Sequence, residues 1–150
     1  MTMPLRFWVP VLIVSLFASR PAGDAIAATE GKTAQGEAYV SGGVSLGERE
    51  ALDARRANFS LWVATAAKAS GSYLADVSVT ITDDAGNPVL ETQLDGPWLL
   101  VNLKHGRYTV EARFDSKIQR KTTTVHKNDH HEMLFYFDAQ VETLPRGARE

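Results

Sequence analysis

The sequence contains no cysteine, and this absence limits both how the chain is stabilised and how it can be attached to a membrane. No disulfide can form, so a folded domain must depend on the burial of apolar side chains alone. A bacterial lipoprotein anchor is excluded as well, because the lipid is attached to a cysteine at the cleavage site. A chain of 150 residues is long enough for one such domain.

The sequence also lacks an excess of basic residues. It has 16 Lys and Arg against 18 Asp and Glu, which gives a net charge of −2 at pH 7. Proteins that bind nucleic acid usually carry a basic stripe that neutralises phosphates. The charge balance therefore argues against a nucleic-acid partner.

Only one long apolar run is present, at positions 7–18, and a short segment with one positive charge, Arg6, precedes it. The run is shorter than the about 20 residues that span a bilayer, and small residues at Ala25 and Ala27 follow it. This pattern predicts a secretory signal peptide cleaved after Ala27, hence a periplasmic or secreted protein without a transmembrane segment after cleavage. An uncleaved anchor is the alternative, and Pro10 within the run counts against it.

Beyond position 58 the apolar residues alternate with polar ones, as in half-buried strands. The clearest strand contains Val77, Val79 and Ile81, and dense turn residues follow it at 83–88. The basic, Thr-rich segment 117–125 is typical of an edge strand protected by its lysines. About seven short strands separated by turns predict an all-β fold, an antiparallel Greek-key β-sandwich of prealbumin or immunoglobulin-like type.

One short helix is predicted before these strands. Ser45 and Glu48 match the S-x-x-E capping box, and good helix formers with a thin apolar face follow them. We expect this helix on the surface or across one end of the domain. The predicted organisation is a signal peptide (1–27), a flexible leader (28–43), the helix (44–58), the β-sandwich domain (59–138) and a C-terminal tail (139–150).

The segment 76–137 resembles a known family. The pattern V-x-V, D-x-x-G, D-G, L-x-x-G-x-Y-x-V is present as Val77-x-Val79, Asp83-x-x-Gly86, Asp95-Gly96 and Leu103-x-x-Gly106-x-Tyr108-x-Val110. These residues resemble the carboxypeptidase regulatory-like domain, a transthyretin-like β-sandwich that also occurs in small exported proteins of proteobacteria. Members often have Pro in the turn after the Leu, where this chain has Lys104-His105. The resemblance implies a fold and says little about activity.

Trp98 follows Gly96-Pro97, where the chain turns a corner, and it has two interpretations. It is either an exposed platform for a sugar, as in carbohydrate-binding modules, or a residue at the rim of the core whose indole N–H bonds to a carbonyl. We favour the second interpretation, and we apply it to Trp62 as well.

The segment 126–132 holds three histidines and two carboxylates. His126, His130 and His131 are candidate ligands for zinc, copper or nickel, since neutral imidazole suits all three ions. Their spacing matches no known closed site, and His105 can join them only if its turn lies at the same end of the sandwich. The alternative, which we favour, is a solvated polar loop, so no cofactor is expected beyond weak Zn, Cu or Ni binding.

No catalytic set is recognisable in the sequence. There is no cysteine nucleophile and no G-x-S-x-G motif, so the chain is not predicted to be an enzyme. We expect a non-enzymatic binding or accessory module of the cell envelope that meets an unidentified envelope protein or polymer through His105, the 126–131 loop or the helix surface. The alternatives are a low-affinity periplasmic metal-binding protein using that loop and a carbohydrate-binding module using Trp98.

Overall fold

A computed structural model describes residues 28–139, so the predicted signal peptide and positions 140–150 of the predicted tail lie outside the described residues. This range contains one α-helix, α1 (Leu46–Arg55), continued by a short 3-10 helix (Arg56–Asn58). It also contains nine strands, β1 (Thr29–Lys32), β2 (Ala38–Gly42), β3 (Leu61–Ala67), β4 (Ser78–Asp83), β5 (Pro88–Gln93), β6 (Trp98–Val101), β7 (Gly106–Phe114), β8 (Lys117–Val125) and β9 (His131–Phe137).

The strands form two sheets. The five-stranded sheet has the order β1-β2-β6-β3-β9, and the four-stranded sheet has the order β5-β4-β7-β8. This mostly β architecture with one short helix confirms the predicted all-β class. One pair departs from a purely antiparallel arrangement, because β9 runs parallel to β3, with Leu61 opposite His131 and Ala67 opposite Phe137.

The predicted flexible leader, 28–43, instead forms β1 and β2, which is why nine strands are present rather than about seven. Its polar, glycine-containing composition suggested mobility. Strand β2 nevertheless pairs with β6, with Tyr39 opposite Val101, and its Val40 is fully buried. The pairing and burial of a few residues outweigh the polar composition of the segment as a whole, because strand formation depends on neighbours that are distant in sequence.

The main core lies between the two sheets. Val63 and Phe135 extend into it from the five-stranded sheet, and Ile81 and Val110 meet them from the four-stranded sheet, all without solvent exposure. Removing such side chains from water contributes about 25 cal/mol per Å² of apolar surface. The alternation in the sequence therefore defines the inner face of each sheet.

Helix α1 begins at the predicted capping box. The Ser45 hydroxyl accepts the Glu48 N–H at 3.1 Å, and the Glu48 carboxylate accepts the Val44 N–H at 3.0 Å. Its one buried residue, Leu52, packs with Leu100 in a second apolar cluster on the outer face of the five-stranded sheet. Within 28–139, no helix has the length and apolarity needed to cross a membrane.

The predicted edge strand β8 does lie at an edge, and its side chains reach the other sheet. Lys121 donates to the backbone carbonyl of Leu134, and Lys117 donates to that of Asp138. These bonds occupy one carbonyl within β9 and one immediately after it. They protect this edge from pairing with another chain.

Candidate binding site at the loop end of the two sheets

Three of the four histidines meet at one end of the two sheets. His105 precedes β7, and His126 and His130 lie in the connection from β8 to β9. Together with Phe59 and its neighbours before β3, they line a cavity of about 460 Å³. His105 and the 126–131 loop therefore lie at the same end, which was the condition for them to act together. We call this space the loop-end cavity.

The turn that carries His105 is anchored to the core by Tyr108. The Tyr108 hydroxyl donates to the backbone carbonyl of Lys104 at 2.8 Å and accepts the Gln35 amide N–H at 3.2 Å. Tyr108 is only 2% exposed, so its hydroxyl is a fixed point at the base of the turn. These hydrogen bonds therefore fix the backbone next to His105.

The loop that carries His126 is closed by Asp129. The carboxylate of Asp129 accepts the backbone N–H of His126 at 2.8 Å, and the Asp129 N–H donates to the His126 carbonyl at 3.2 Å. Asn128 completes the turn with φ of +67°, which asparagine tolerates better than most residues. The hydrogen bond from the His126 backbone, aided by His131, outweighs desolvation and holds the pKa of Asp129 below its ordinary value of 3.8.

Two of the three histidines suggested as a metal-binding set are bonded to other groups. His130 donates from Nδ1 to the Phe59 carbonyl at 2.8 Å, and His131 donates from Nε2 to the Asp129 carboxylate at 3.2 Å. Within 28–139, no three His, Asp or Glu side chains are grouped as metal ligands. Neighbouring backbone and carboxylate groups therefore hold the rings of His130 and His131.

His126 instead lies against His105. The centres of the two rings are 5.2 Å apart, and the ring planes are inclined at 72°. Both side chains are solvent-exposed. Two loops that are separated by a whole hairpin thus bring two imidazoles into contact.

The remaining wall of the loop-end cavity is joined by hydrogen bonds to the end of β6. Asn102 Oδ1 accepts the Ser60 N–H at 3.1 Å, and the Ser60 hydroxyl accepts the Leu103 N–H at 2.8 Å. These bonds tie the segment before β3 to the turn before β7. These hydrogen bonds therefore fix the walls of the cavity to one another.

Trp98 belongs to the buried cluster beneath α1 and presents no platform to a ligand. It is 7% exposed, and its ring packs edge-to-face against Trp62 at 5.1 Å. This position corrects Trp98 as a candidate ligand-binding residue, since a sugar needs an exposed aromatic face. The expected bond from its indole N–H to a carbonyl is not found within the described part of the chain.

Exposed aromatic side chains occur elsewhere on the same outer face. Tyr136 is 46% exposed and Tyr73 is 49% exposed. Both pair with Ala66 of β3, Tyr136 on one side of the strand and Tyr73 on the other. The arginine Arg49 lies over the Tyr73 ring at 5.3 Å. Two partly exposed aromatic rings therefore lie on this face, away from the loop-end cavity.

Sequence reasoning did not identify the residues that organise the cavity. Tyr108 was assigned only to the core, Asp129 only to a polar loop, and Gln35 to a flexible leader. A carboxylate three residues after His126 was a usable signal for a closed turn, since Asp side chains commonly accept nearby backbone N–H groups. The contact between Gln35 and Tyr108 spans 73 positions and left no local pattern.

Comparison with known proteins adds no relative to this picture: the chain matches no protein-family profile and shows no significant similarity to a curated protein.

Proposed function

We propose that the chain is an exported, non-enzymatic module of the cell envelope that binds an envelope protein or polymer at the loop-end cavity. The observation that carries this proposal is the meeting of His105, His126 and His130 around a space of about 460 Å³. Loops held by a rigid scaffold are the usual place for binding residues, and ligand sites are concave with a few convergent polar groups. Export rests on the sequence features of residues 1–27.

The charges around the cavity favour an anionic group on the partner. Lys127 supplies a positive charge, and the histidines can donate hydrogen bonds. Among residues 28–139, the one carboxylate in the lining is that of Asp129, which already accepts the His126 N–H and the His131 ring. A partner segment that bears carboxylates, from a wall polymer or an acidic peptide, would therefore face hydrogen-bond donors and a positive charge. The Asp129 carboxylate would not be available to repel it.

The position of Ser60 supports binding rather than hydrolysis. Its hydroxyl lies in the cavity wall but donates to the Val101 carbonyl at 3.3 Å and accepts the Leu103 N–H. A nucleophilic serine needs a base that takes its proton. Here the hydroxyl joins two strands instead.

We propose that the fold is the Greek-key, prealbumin-type sandwich of the carboxypeptidase regulatory-like family. The burial and backbone conformation of the residues behind the resemblance support this proposal. Val77 is buried immediately before β4, Val79 is buried within it, and Tyr108 and Val110 are buried in β7. Gly86 has φ of +82° in the turn between β4 and β5, where a side chain would be strained.

Co-sedimentation with purified cell-wall sacculi, which carry carboxylates, tests the proposed function. Lys127→Glu should lower retention at least about fivefold, because one charge reversal at a partly desolvated contact is worth more than about 1 kcal/mol. Lys68→Glu is the matched control, since Lys68 is exposed and follows β3 at the opposite end. Equal retention of the two variants, or no retention of the wild type on sacculi or on outer-membrane vesicles, would contradict the proposal.

A further inference from the structure

We propose that His105 and His126 form a binding site for a divalent transition-metal ion, with their two imidazoles as its protein ligands. The ions that suit this chemistry are Cu²⁺, Ni²⁺ and Zn²⁺. The inference rests on the geometry of this pair and does not depend on the envelope partner proposed above. It replaces the sequence-based ligand set, in which His126 was grouped with His130 and His131.

The strand register places the two histidines side by side. Gly106 and Val125 are the last pair of the ladder between β7 and β8, so the residues just beyond them, His105 and His126, are the next cross-strand neighbours. Directly opposed residues of an antiparallel pair have Cβ atoms about 4.5–5.5 Å apart, close enough for their side chains to interact. The hairpin therefore brings these two positions next to each other.

The separation of the rings fits a shared ion. An imidazole nitrogen binds zinc at about 2.0–2.1 Å, which places the ring centre roughly 3.2 Å from the ion. Two such rings at the tetrahedral angle have centres about 5.2 Å apart. The centres of His105 and His126 are 5.2 Å apart. The site requires that one nitrogen of each ring points at the ion.

The two rings are also free to bind. No hydrogen bond from either ring is found within residues 28–139, whereas His130 and His131 are both engaged. The Tyr108 hydroxyl holds the backbone next to His105, and the Asp129 carboxylate holds the backbone of His126. Ligands on a fixed backbone lose less conformational entropy when they bind.

The remaining coordination positions of the ion would be open. Both histidines line the loop-end cavity, and no third protein ligand is grouped with them in the described part of the chain. Water or a donor group of a bound molecule completes the coordination, as in zinc sites that keep an open position. Among the three ions, Cu²⁺ should bind most tightly.

Isothermal titration of the untagged exported protein with CuCl₂, NiCl₂ and ZnCl₂ tests the site. We expect one ion per chain, with Cu²⁺ the tightest. His105→Ala and His126→Ala should each weaken binding at least about tenfold, a loss no smaller than that caused by removing an outer-shell partner of a ligand. His131→Ala is the matched control and should bind as the wild type does, because the His131 ring is bonded to Asp129 and does not line the cavity.

A second measurement avoids any variant that folds poorly. In the wild type, substoichiometric Cu²⁺ should broaden the imidazole NMR signals of His105 and His126 before those of His130 and His131. The proposal is overturned if the wild type binds no ion at millimolar concentration. It is equally overturned if His105→Ala keeps wild-type affinity, or if the signals of His130 or His131 broaden first.

Discussion

The hydroxyl of Tyr108 donates a hydrogen bond of 2.8 Å to the backbone carbonyl of Lys104, four residues earlier in the chain. Tyr108 begins the buried face of β7, and Lys104 immediately precedes His105. The bond therefore connects the core of the domain to the turn that carries a cavity residue. A side chain that looks purely structural in the sequence sets the position of the candidate site.

Tyr108→Phe should lower the free energy of unfolding by about 1 kcal/mol, because one buried hydrogen bond is lost while the ring stays packed. Urea unfolding of the purified protein measures this change. Tyr136→Phe is the control, since the Tyr136 side chain is 46% exposed, and it should change stability by less than about 0.5 kcal/mol. Equal effects of the two variants would show that the Tyr108 bond does not contribute.

Gly96→Ala should destabilise the domain. A Cβ atom at Gly96 would collide with the backbone carbonyl of Gly42, and backbone moves aside less readily than a side chain. Such overpacking typically costs about 1–3 kcal/mol. The change in thermal unfolding midpoint measures it.

Gly47→Ala is the counterpart to that substitution and should have the opposite sign. Gly47 lies within α1, and a Cβ atom there would meet nothing within 4 Å. Alanine stabilises a helix interior by about 0.5–1 kcal/mol relative to glycine. If both variants unfold at the wild-type temperature, the close approach of Gly96 to Gly42 is not a constraint in solution.

The ionised Asp129 carboxylate should stabilise the loop between β8 and β9 above about pH 4 and lose this effect in acid. Its pKa is lower in the folded state than the ordinary 3.8, chiefly because of the His126 backbone N–H, so the unfolded chain takes up the proton first. The contribution is therefore complete above the unfolded pKa and disappears as the pH falls through the folded one.

Urea unfolding between pH 6 and 3, compared with Asp129→Asn, measures this dependence. The wild type should lose more stability than the variant over the acidic part of that range. Asp84→Asn, in the exposed turn between β4 and β5, is the control and should follow the wild type. Parallel curves for the wild type and Asp129→Asn would contradict the assigned role.

Processing after Ala27 is a prediction of the sequence that lies outside the described residues. Expression of the full chain in a bacterial host should give an exported protein whose intact mass corresponds to residues 28–150. Ala27→Arg should block cleavage, because the small residue at the cut site is required. A product of full-length mass in the wild type would contradict the signal-peptide interpretation.

The sequence predicted the elements that rest on local patterns. Alternation at Val77, Val79 and Ile81 predicted a half-buried strand. Val79 and Ile81 are buried in β4, and Val77 is buried immediately before it. Ser45 and Glu48 predicted the start of α1, because a capping box satisfies backbone N–H groups within four residues. In each case the determining interaction is close in sequence or repeats with the period of a strand.

Local patterns did not predict the two strands of the segment 28–43. Its composition is that of a polar leader, yet β1 and β2 form because β6 offers a partner about sixty residues later. The parallel pairing of β9 with β3 depends in the same way on the path of the whole chain between the two sheets. The local composition of a segment does not predict either of these partner strands.

The sequence by itself determined the residue types at the candidate site, namely His105 and the histidine-rich segment after β8, and it determined that no disulfide supports them. Only the tertiary structure decided which histidines meet. It turns His130 to the Phe59 carbonyl and His131 to Asp129, and leaves His126 beside His105. The reason is physical: a ring nitrogen bonds to the acceptor that the fold brings within about 3 Å, and that acceptor is set by strand register rather than by spacing along the chain.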